Sequence, residues 1–399
     1  MGTSSLLLIL SIALIISFFY NNIQRRFNIS AVILLLISGV ALQFVVRRYF
    51  GNVELPSSML PIFGTLGLLI IVLEAVLDMD INRENYRLYI KAAAIATVIV
   101  CGSCLVIAYG FMRAYSFLSP VAAIVYALPL SIVSSAIVIP SLKNLTSEFR
   151  DLIILESVFS DIIGILLFNF FVMAEFNSVS SIGLFGINFA LMVVISLVTT
   201  IILGIVLSNL HSKNQHVFIL AILVFVYTVA KHFHLSSLIL ILVFGLFLRN
   251  LPQLMSTKIG VRWFGKFLNP GNIRTNLSKM NEFIDEIGFI IRTFFFILLG
   301  YSINLAALGD LRVILLGVMI AIAIYAVRWL VFLPFPKAKD RLLGIAAAPR
   351  GLITVLLFFQ LPEKFSSKYF DGGVIFFVVI ITSVVMSYAL VHNKYKKDQ

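Results

Sequence analysis

Long apolar runs separated by short polar breaks fill this chain. Thirteen of them begin near Leu6, Ile29, Met59, Leu88, Leu118, Leu152, Ile182, Val217, Leu235, Ile287, Val313, Leu342 and Gly373. At 1.5 Å of rise per residue, about 20 apolar residues cross the hydrocarbon core of a bilayer as a helix. The pattern therefore predicts an all-α polytopic membrane protein of about 13 transmembrane helices. The runs that begin at Val217 and Leu235 are short and divided only by Lys231-His232-Phe233-His234, so a single helix there would reduce the number to twelve. The first run, Leu6 to Tyr20, has no basic segment ahead of it and is followed by Arg25-Arg26. Without a small-residue cleavage site it reads as a retained helix that starts outside.

Two runs are interrupted alike. The fifth contains Pro129, Ser131, Ser134, Ser135 and Pro140, and the twelfth contains Pro349, Arg350, Gly351 and Thr354. Proline and small polar residues at membrane depth predict broken helices, tolerated where they line a cavity or are buried in protein. The two runs are seven apart, so they are equivalent partners if runs one to six recur, inverted, as runs eight to thirteen. The predicted organisation is a single transmembrane domain over residues 1–399. It holds a first repeat at about 1–175, a linker helix at about 180–208 and a second repeat at about 215–392, with no soluble domain appended. Two inverted six-helix repeats with discontinuous crossing helices are a transporter architecture, with binding where the breaks meet near the midplane.

Composition agrees with the pattern: mean hydropathy is +1.07, and 61% of residues are hydrophobic against 12% charged. With the N-terminus outside, twenty of the thirty Lys and Arg fall in cytoplasmic segments, seven in external loops and three inside apolar runs. The positive-inside rule thus favours an external N-terminus and a cytoplasmic C-terminus. The net charge of +12 is then a matter of topology and calls for no nucleic-acid partner. One long loop, about Arg249 to Glu286, carries Trp263, Phe264, Phe267 and six basic residues. It suits either an amphipathic segment against the lipid headgroups or an ordinary positive-inside loop. Cys101 and Cys104 read as small core residues, and the histidines sit in loops or at the tail, so neither a cofactor nor an enzyme active site is expected. The lack of a tail or targeting signal points to a prokaryotic inner (plasma) membrane.

The chemistry lies in the charges at depth. Leu155-Glu156-Ser157-Val158-Phe159-Ser160-Asp161 puts two carboxylates in the sixth run, where each costs a few kcal/mol and is usually kept for ion or proton handling. Counting from Leu152, Glu156 is about 6 Å in and Asp161 about 13 Å in, near the midplane. Five residues apart, they point roughly 140° away from each other, so they have separate jobs. Asp161 shares a face with Ser157 and adjoins Ser160; a carboxylate with hydroxyls suits a hard monovalent cation, in competition with a proton. Glu156 needs a cationic partner, and depth leaves both Arg328, about 7 Å in, and Arg292 open. Arg292 could equally snorkel to the inner surface. Arg350, about 12 Å in and between Pro349 and Gly351, is placed to neutralise the carbonyl ends of broken helices. Glu74, near the cytoplasmic end of the third run, has a helix-packing or ion-funnel role or, equally, none.

At these residues the chain resembles the monovalent cation/proton antiporter superfamily, most of all its sodium/proton exchanger branch. The family's L-F-E-A-A-L-N-I-D pattern is echoed by Leu73-Glu74-Ala75-Val76-Leu77-Asp78-Met79-Asp80, and its E-S-x-x-N-D by Glu156-Ser157-Val158-Phe159-Ser160-Asp161. Its F-F-F-x-x-x-G matches Phe294 to Gly300, its penultimate-but-one helix arginine matches Arg328, and its R-G matches Arg350-Gly351. The resemblance implies a thirteen-helix inverted-repeat fold and a homodimer with an elevator-like movement among membrane lipids. It implies Asp161 as the carboxylate that holds cation (Na+ or K+) and proton in turn, and Glu156 paired with Arg328. A single free carboxylate there implies electroneutral exchange.

Two departures stand out. Ser160 replaces the family asparagine, and Ser134-Ser135-Ala136 replaces T-D-P, which is closer to the S-S-T-A of the potassium-efflux branch. Hydroxyls of Ser134 and Ser135 would then help to cage the ion. The expected function is a secondary active antiporter that exchanges cytoplasmic Na+, or alternatively K+ or Li+, for external protons. A potassium-efflux-like system and a non-transporting regulatory protein of the same fold are the alternatives.

Overall fold

The computed structural model describes residues 11–20, 22–23, 31–50, 59–77, 86–115, 118–142, 148–173, 186–187, 190–191, 193–202, 205, 215–232, 237–255, 270–302, 309–362, 365 and 372–395. The helices among them are α1 (Ser11–Tyr20), α2 (Ala31–Phe50), α3 (Met59–Leu77), α4 (Tyr86–Ala114), α5 (Pro120–Ser131), α6 (Ser135–Leu142) and α7 (Glu148–Met173). They continue with α8 (Val193–Ile202), α9 (Gln215–His232), α10 (Ser237–Met255), α11 (Pro270–Ser302), α12 (Leu311–Phe332), α13 (Ala338–Ala346), α14 (Leu352–Phe359) and α15 (Gly373–Tyr395). No strand occurs among the described residues. The apolar stretches starting at Val217 and Leu235 form separate helices, α9 and α10.

Both interrupted runs are broken. The fifth splits into α5 and α6 around Ile132-Val133-Ser134, and the twelfth into α13 and α14 around Ala347 to Gly351. α5 is started by Ser119, whose side chain accepts the Ala122 N–H, with Pro120 at the first helical position, where its missing N–H costs nothing. Its continuation fails at Ile132, which is extended (φ −79°, ψ 129°). Among the described residues, five stretches are long and apolar enough to span a bilayer: Ala31–Tyr49, Tyr86–Ala114, Pro120–Leu142, Leu311–Phe332 and Gly373–His392. The broken one, Pro120–Leu142, is 83% buried against 39–56% for the others, as expected where backbone groups must be satisfied by protein. The lipid-suited faces are visible elsewhere, as in Ile322, Trp329 and Leu330 on α12, all exposed.

The chain divides into two compact units. One comprises residues 1–67, 87–168 and 290–399 and contains both breaks. Within it α12 packs on α13 and α15, α13 on α15, α5 on α14, and α15 on α2. α2 meets the end of α11 backbone to backbone: a Cβ on Gly39 would stand 2.9 Å from Gly300 Cα and Tyr301 N. The Ser17 and Thr293 hydroxyls hydrogen-bond at 2.6 Å, and Gln43 Nε2 donates to Tyr301 O at 2.7 Å beside that crossing.

The other unit comprises residues 68–86 and 169–289. There α9 packs on α10, Ser196 Oγ donates to Leu240 O at 3.1 Å, and Gly245 lets α10 approach Leu73 and Val76. The described parts of the long predicted loop are helical: Arg249 to Met255 belong to α10. From Pro270 it is helical, with Leu277, Met280 and Ile284 buried at helical spacing. Trp263, Phe264 and Phe267 lie outside the described residues, as do Asp78 and Asp80.

Candidate ion-binding site

α7 carries both deep carboxylates, and their five-residue spacing sends them to different neighbours. Glu156 meets α12: Arg328 Nη1 donates to Oε1 at 2.9 Å and Nη2 to Oε2 at 3.2 Å, a two-pronged pair with both side chains fully buried. Arg328 Nε donates to Gly344 O at 2.8 Å, in the last turn of α13, so the guanidinium also meets the negative end of that helix. Phe332 lies under the guanidinium at 5.2 Å, and Phe149 and Phe335 close an aromatic cluster with it. Gly344 is needed there, since a Cβ would stand 2.7 Å from the Phe332 ring. Arg292, half-buried on α11, is not among the residues that hold the Glu156 oxygens.

Asp161 meets the first break. Its Oδ2 accepts from the Ser135 N–H, the first amide of α6, at 3.3 Å, so a carboxylate faces the positive end of that helix. One step earlier on α7, Ser160 Oγ accepts from the Val133 N–H at 2.9 Å and so satisfies an amide of the break itself. Asp161 is 2% exposed, and its second oxygen, Oδ1, has no hydrogen-bond partner. Gly164, a turn further along α7, admits Ile132 of the break against the helix backbone.

The two breaks touch. The Ser134 N–H donates to Pro349 O at 2.9 Å, and a Cβ on Gly351 would fall 2.7 Å from Ser134 Cβ. Arg350, fully buried, reaches across this contact. Its Nε donates to Leu130 O at 2.7 Å, Nη2 to Ser131 O at 3.3 Å and Nη1 to Ala348 O at 2.8 Å. The first two are the last carbonyls of α5, where a cation offsets the helix dipole. The Arg350 N–H is taken by Thr382 Oγ1 of α15 at 3.0 Å.

Asp161, Ser160, Ser134, Ser135 and Arg350 thus converge, and Glu156 with Arg328 forms a neighbouring pair from the same α7. Ser157, fully buried on the same helix, donates its hydroxyl proton to Ile154 O at 2.8 Å, which leaves its oxygen lone pairs to accept. Glu74 lies on α3 in the other unit, half-buried. Sequence reasoning passed over Thr382. The only signal for it is a polar pair, Thr382-Ser383, inside an otherwise apolar stretch of α15.

Comparison with protein families decides the class of molecule, since the profile described as "Sodium/hydrogen exchanger, transmembrane" matches residues 9–392. The chain belongs to the sodium/hydrogen exchanger family. That is a family of membrane transporters rather than an enzyme class. Among solved structures, the chain is similar to the sodium proton antiporter MjNhaP1 from Methanocaldococcus jannaschii at pH 8, with TM-score 0.70 and 18% identity. A second structure of that antiporter, from an electron-microscopy map, matches with TM-score 0.64 and 17% identity. Each covers 98% of both chains. At these identities the match shows a shared fold: the all-helical sodium/proton antiporter fold. A comparison with curated protein sequences finds no match.

Proposed function

We propose that this exchanger moves cytoplasmic Na+ outward against external protons by alternating access, with Asp161 carrying each in turn. The observation that carries the reading is the state of the Asp161 carboxylate. It is enclosed at the meeting of two broken helices with one oxygen held by the Ser135 amide and the other without a partner. A bare carboxylate in such surroundings is costly and is neutralised by a proton or a cation. The Ser160 and Ser134 segments around it offer oxygens suited to a hard monovalent ion. Ser135 and Ser134 take the place of the acid and threonine usual in the branch, so K+ and Li+ are the competing substrates.

Glu156 is committed to Arg328 at both oxygens, so of the pair Glu156 and Asp161 only Asp161 remains to be loaded. A proton and a monovalent cation load it with the same charge, which makes the exchange electroneutral. In this reading Arg350 holds the α5 carbonyl end through the cycle, and the chain works as a homodimer in a prokaryotic inner membrane with its N-terminus outside. The inverted repeats would flank a linker helix near residues 180–208, with the two breaks as corresponding parts.

The test is cation-dependent fluorescence dequenching in everted vesicles, run separately with Na+, K+ and Li+. Wild-type protein is expected to respond to Na+, and Asp161→Asn is expected to respond to none while remaining folded in detergent. Normal exchange by Asp161→Asn would remove the carboxylate from the mechanism. Silence of the wild-type protein with all three cations would favour the non-transporting reading, and a response to K+ alone the efflux-like one.

A further inference from the structure

At the second break, no acceptor among the described residues meets the start of a helix. α14 starts at Leu352 in the interior, and Gly351 at its N-cap has no side chain to offer. The first N–H bonded within the helix is that of Val355, to Gly351 O at 3.2 Å. The amides of Leu352, Ile353 and Thr354 ahead of it have no acceptor among the described residues, and all three residues are at most 2% exposed. Two buried hydroxyls share this condition. Thr354 Oγ1 is in the first turn of α14 and Ser383 Oγ on α15, and neither has a hydrogen-bond partner.

The register of the two breaks makes Ser383 the counterpart of Asp161. At the first break Ser160 accepts from the Val133 N–H, two residues before α6 starts, and the next residue, Asp161, accepts from the first amide of α6. At the second break Thr382 accepts from the Arg350 N–H, again two residues before the helix starts. The residue after Thr382 is Ser383, so it stands toward the Leu352 amide as Asp161 stands toward that of Ser135. A serine is shorter than an aspartate, and Ser383 Oγ makes no hydrogen bond to that amide. Arg350 is no substitute, because its guanidinium is spent on Leu130 O, Ser131 O and Ala348 O.

Buried donors are almost always paired, and where protein atoms do not reach, an ordered water with two to four polar partners serves. We propose that the second break binds an ordered water. It accepts from the α14 amides and donates to Thr354 Oγ1 and Ser383 Oγ, the uncharged counterpart of the Asp161 carboxylate. The site does not depend on the transport reading.

Thr354→Val removes a hydroxyl without changing shape, so the sign of its effect is informative. If the hydroxyl is bridged by water, the variant lowers the thermal midpoint of the purified protein by roughly 2–4 °C, while Thr354→Ser, which keeps the hydroxyl, loses less. Ser383→Ala should lower it similarly. A Thr354→Val protein as stable as wild type or more so would overturn the proposal, since an unbridged buried hydroxyl is better replaced by a methyl. A midpoint that changes when chloride is replaced by gluconate would also overturn it, by making the occupant an anion. A high-resolution map with density between Ser383 and the α14 amides, retained in gluconate, would support it.

Discussion

Removing one partner of the Glu156–Arg328 pair should cost more than removing both. In Glu156→Leu the Arg328 guanidinium keeps only the Gly344 carbonyl and the face of Phe332, and its full charge stays buried. In Arg328→Met the Glu156 carboxylate loses both of its hydrogen bonds and the Gly344 carbonyl loses its donor. Uncompensated buried charges of this kind cost about 3–5 kcal/mol each. The double variant carries neither charge and is left with one unpaired carbonyl and some mispacking, about 1–3 kcal/mol. The singles together would therefore exceed the double by several kcal/mol, well above the few tenths at which independent sites add. The assay is thermal denaturation of detergent-purified protein, following the monodisperse fraction for wild type, both singles and the double. Each single should fall by about 10 °C and the double by clearly less than their sum. A double equal to the sum would mean that the pair contributes no mutual stabilisation, and the reasoning fails.

The remaining predictions concern backbone rather than acid. Arg350→Gln strips the donors from up to three carbonyls and should lower the midpoint by a comparable amount, and Arg350→Lys should recover only part of it, because a single ammonium cannot span Leu130, Ser131 and Ala348 as the fork does; full recovery by lysine in the same denaturation assay would argue against fork recognition. Gly300→Ala and Gly39→Ala push a Cβ into the backbone of the opposite helix and should each destabilise by at least about 1–3 kcal/mol, whereas Gly186→Ala, with open space around it, should be neutral or slightly stabilising. Equal behaviour of the three glycine variants would refute the close α2–α11 crossing.

Much of the site could be read from the chain because membrane depth makes polar residues conspicuous. Proline with serine in the fifth run and Pro349-Arg350-Gly351 in the twelfth located both breaks, and the angle between Glu156 and Asp161 on one helix sent them to different neighbours. What depth could not supply was lateral position. Counting residues gives Arg328 and Arg292 similar depths, and only the packing of α12 against α7 and α13 puts the Arg328 fork on Glu156. For Ser157 the face alone says too little: its hydroxyl proton goes to the Ile154 carbonyl of its own helix, and only its lone pairs are left for an ion. Thr382 was passed over because a threonine in an apolar helix ordinarily bonds a carbonyl of its own turn. It does that too, donating to Val378 O at 2.7 Å while accepting from Arg350. The helix from Pro270 to Glu286 is hard to read from the chain because its charges mask the buried spacing of Leu277, Met280 and Ile284.

Gly351 and Ser134 hold between them one small parcel of space, with hardly room for a further carbon atom. Side-chain size at the two positions is therefore a shared quantity rather than two independent ones. Across descendants of this chain, growth at 351 would be tolerated only with shrinkage at 134, and the reverse. Two residues more than two hundred positions apart in the chain should thus drift as a pair, leaving in the sequences of relatives a record of where the two broken helices meet.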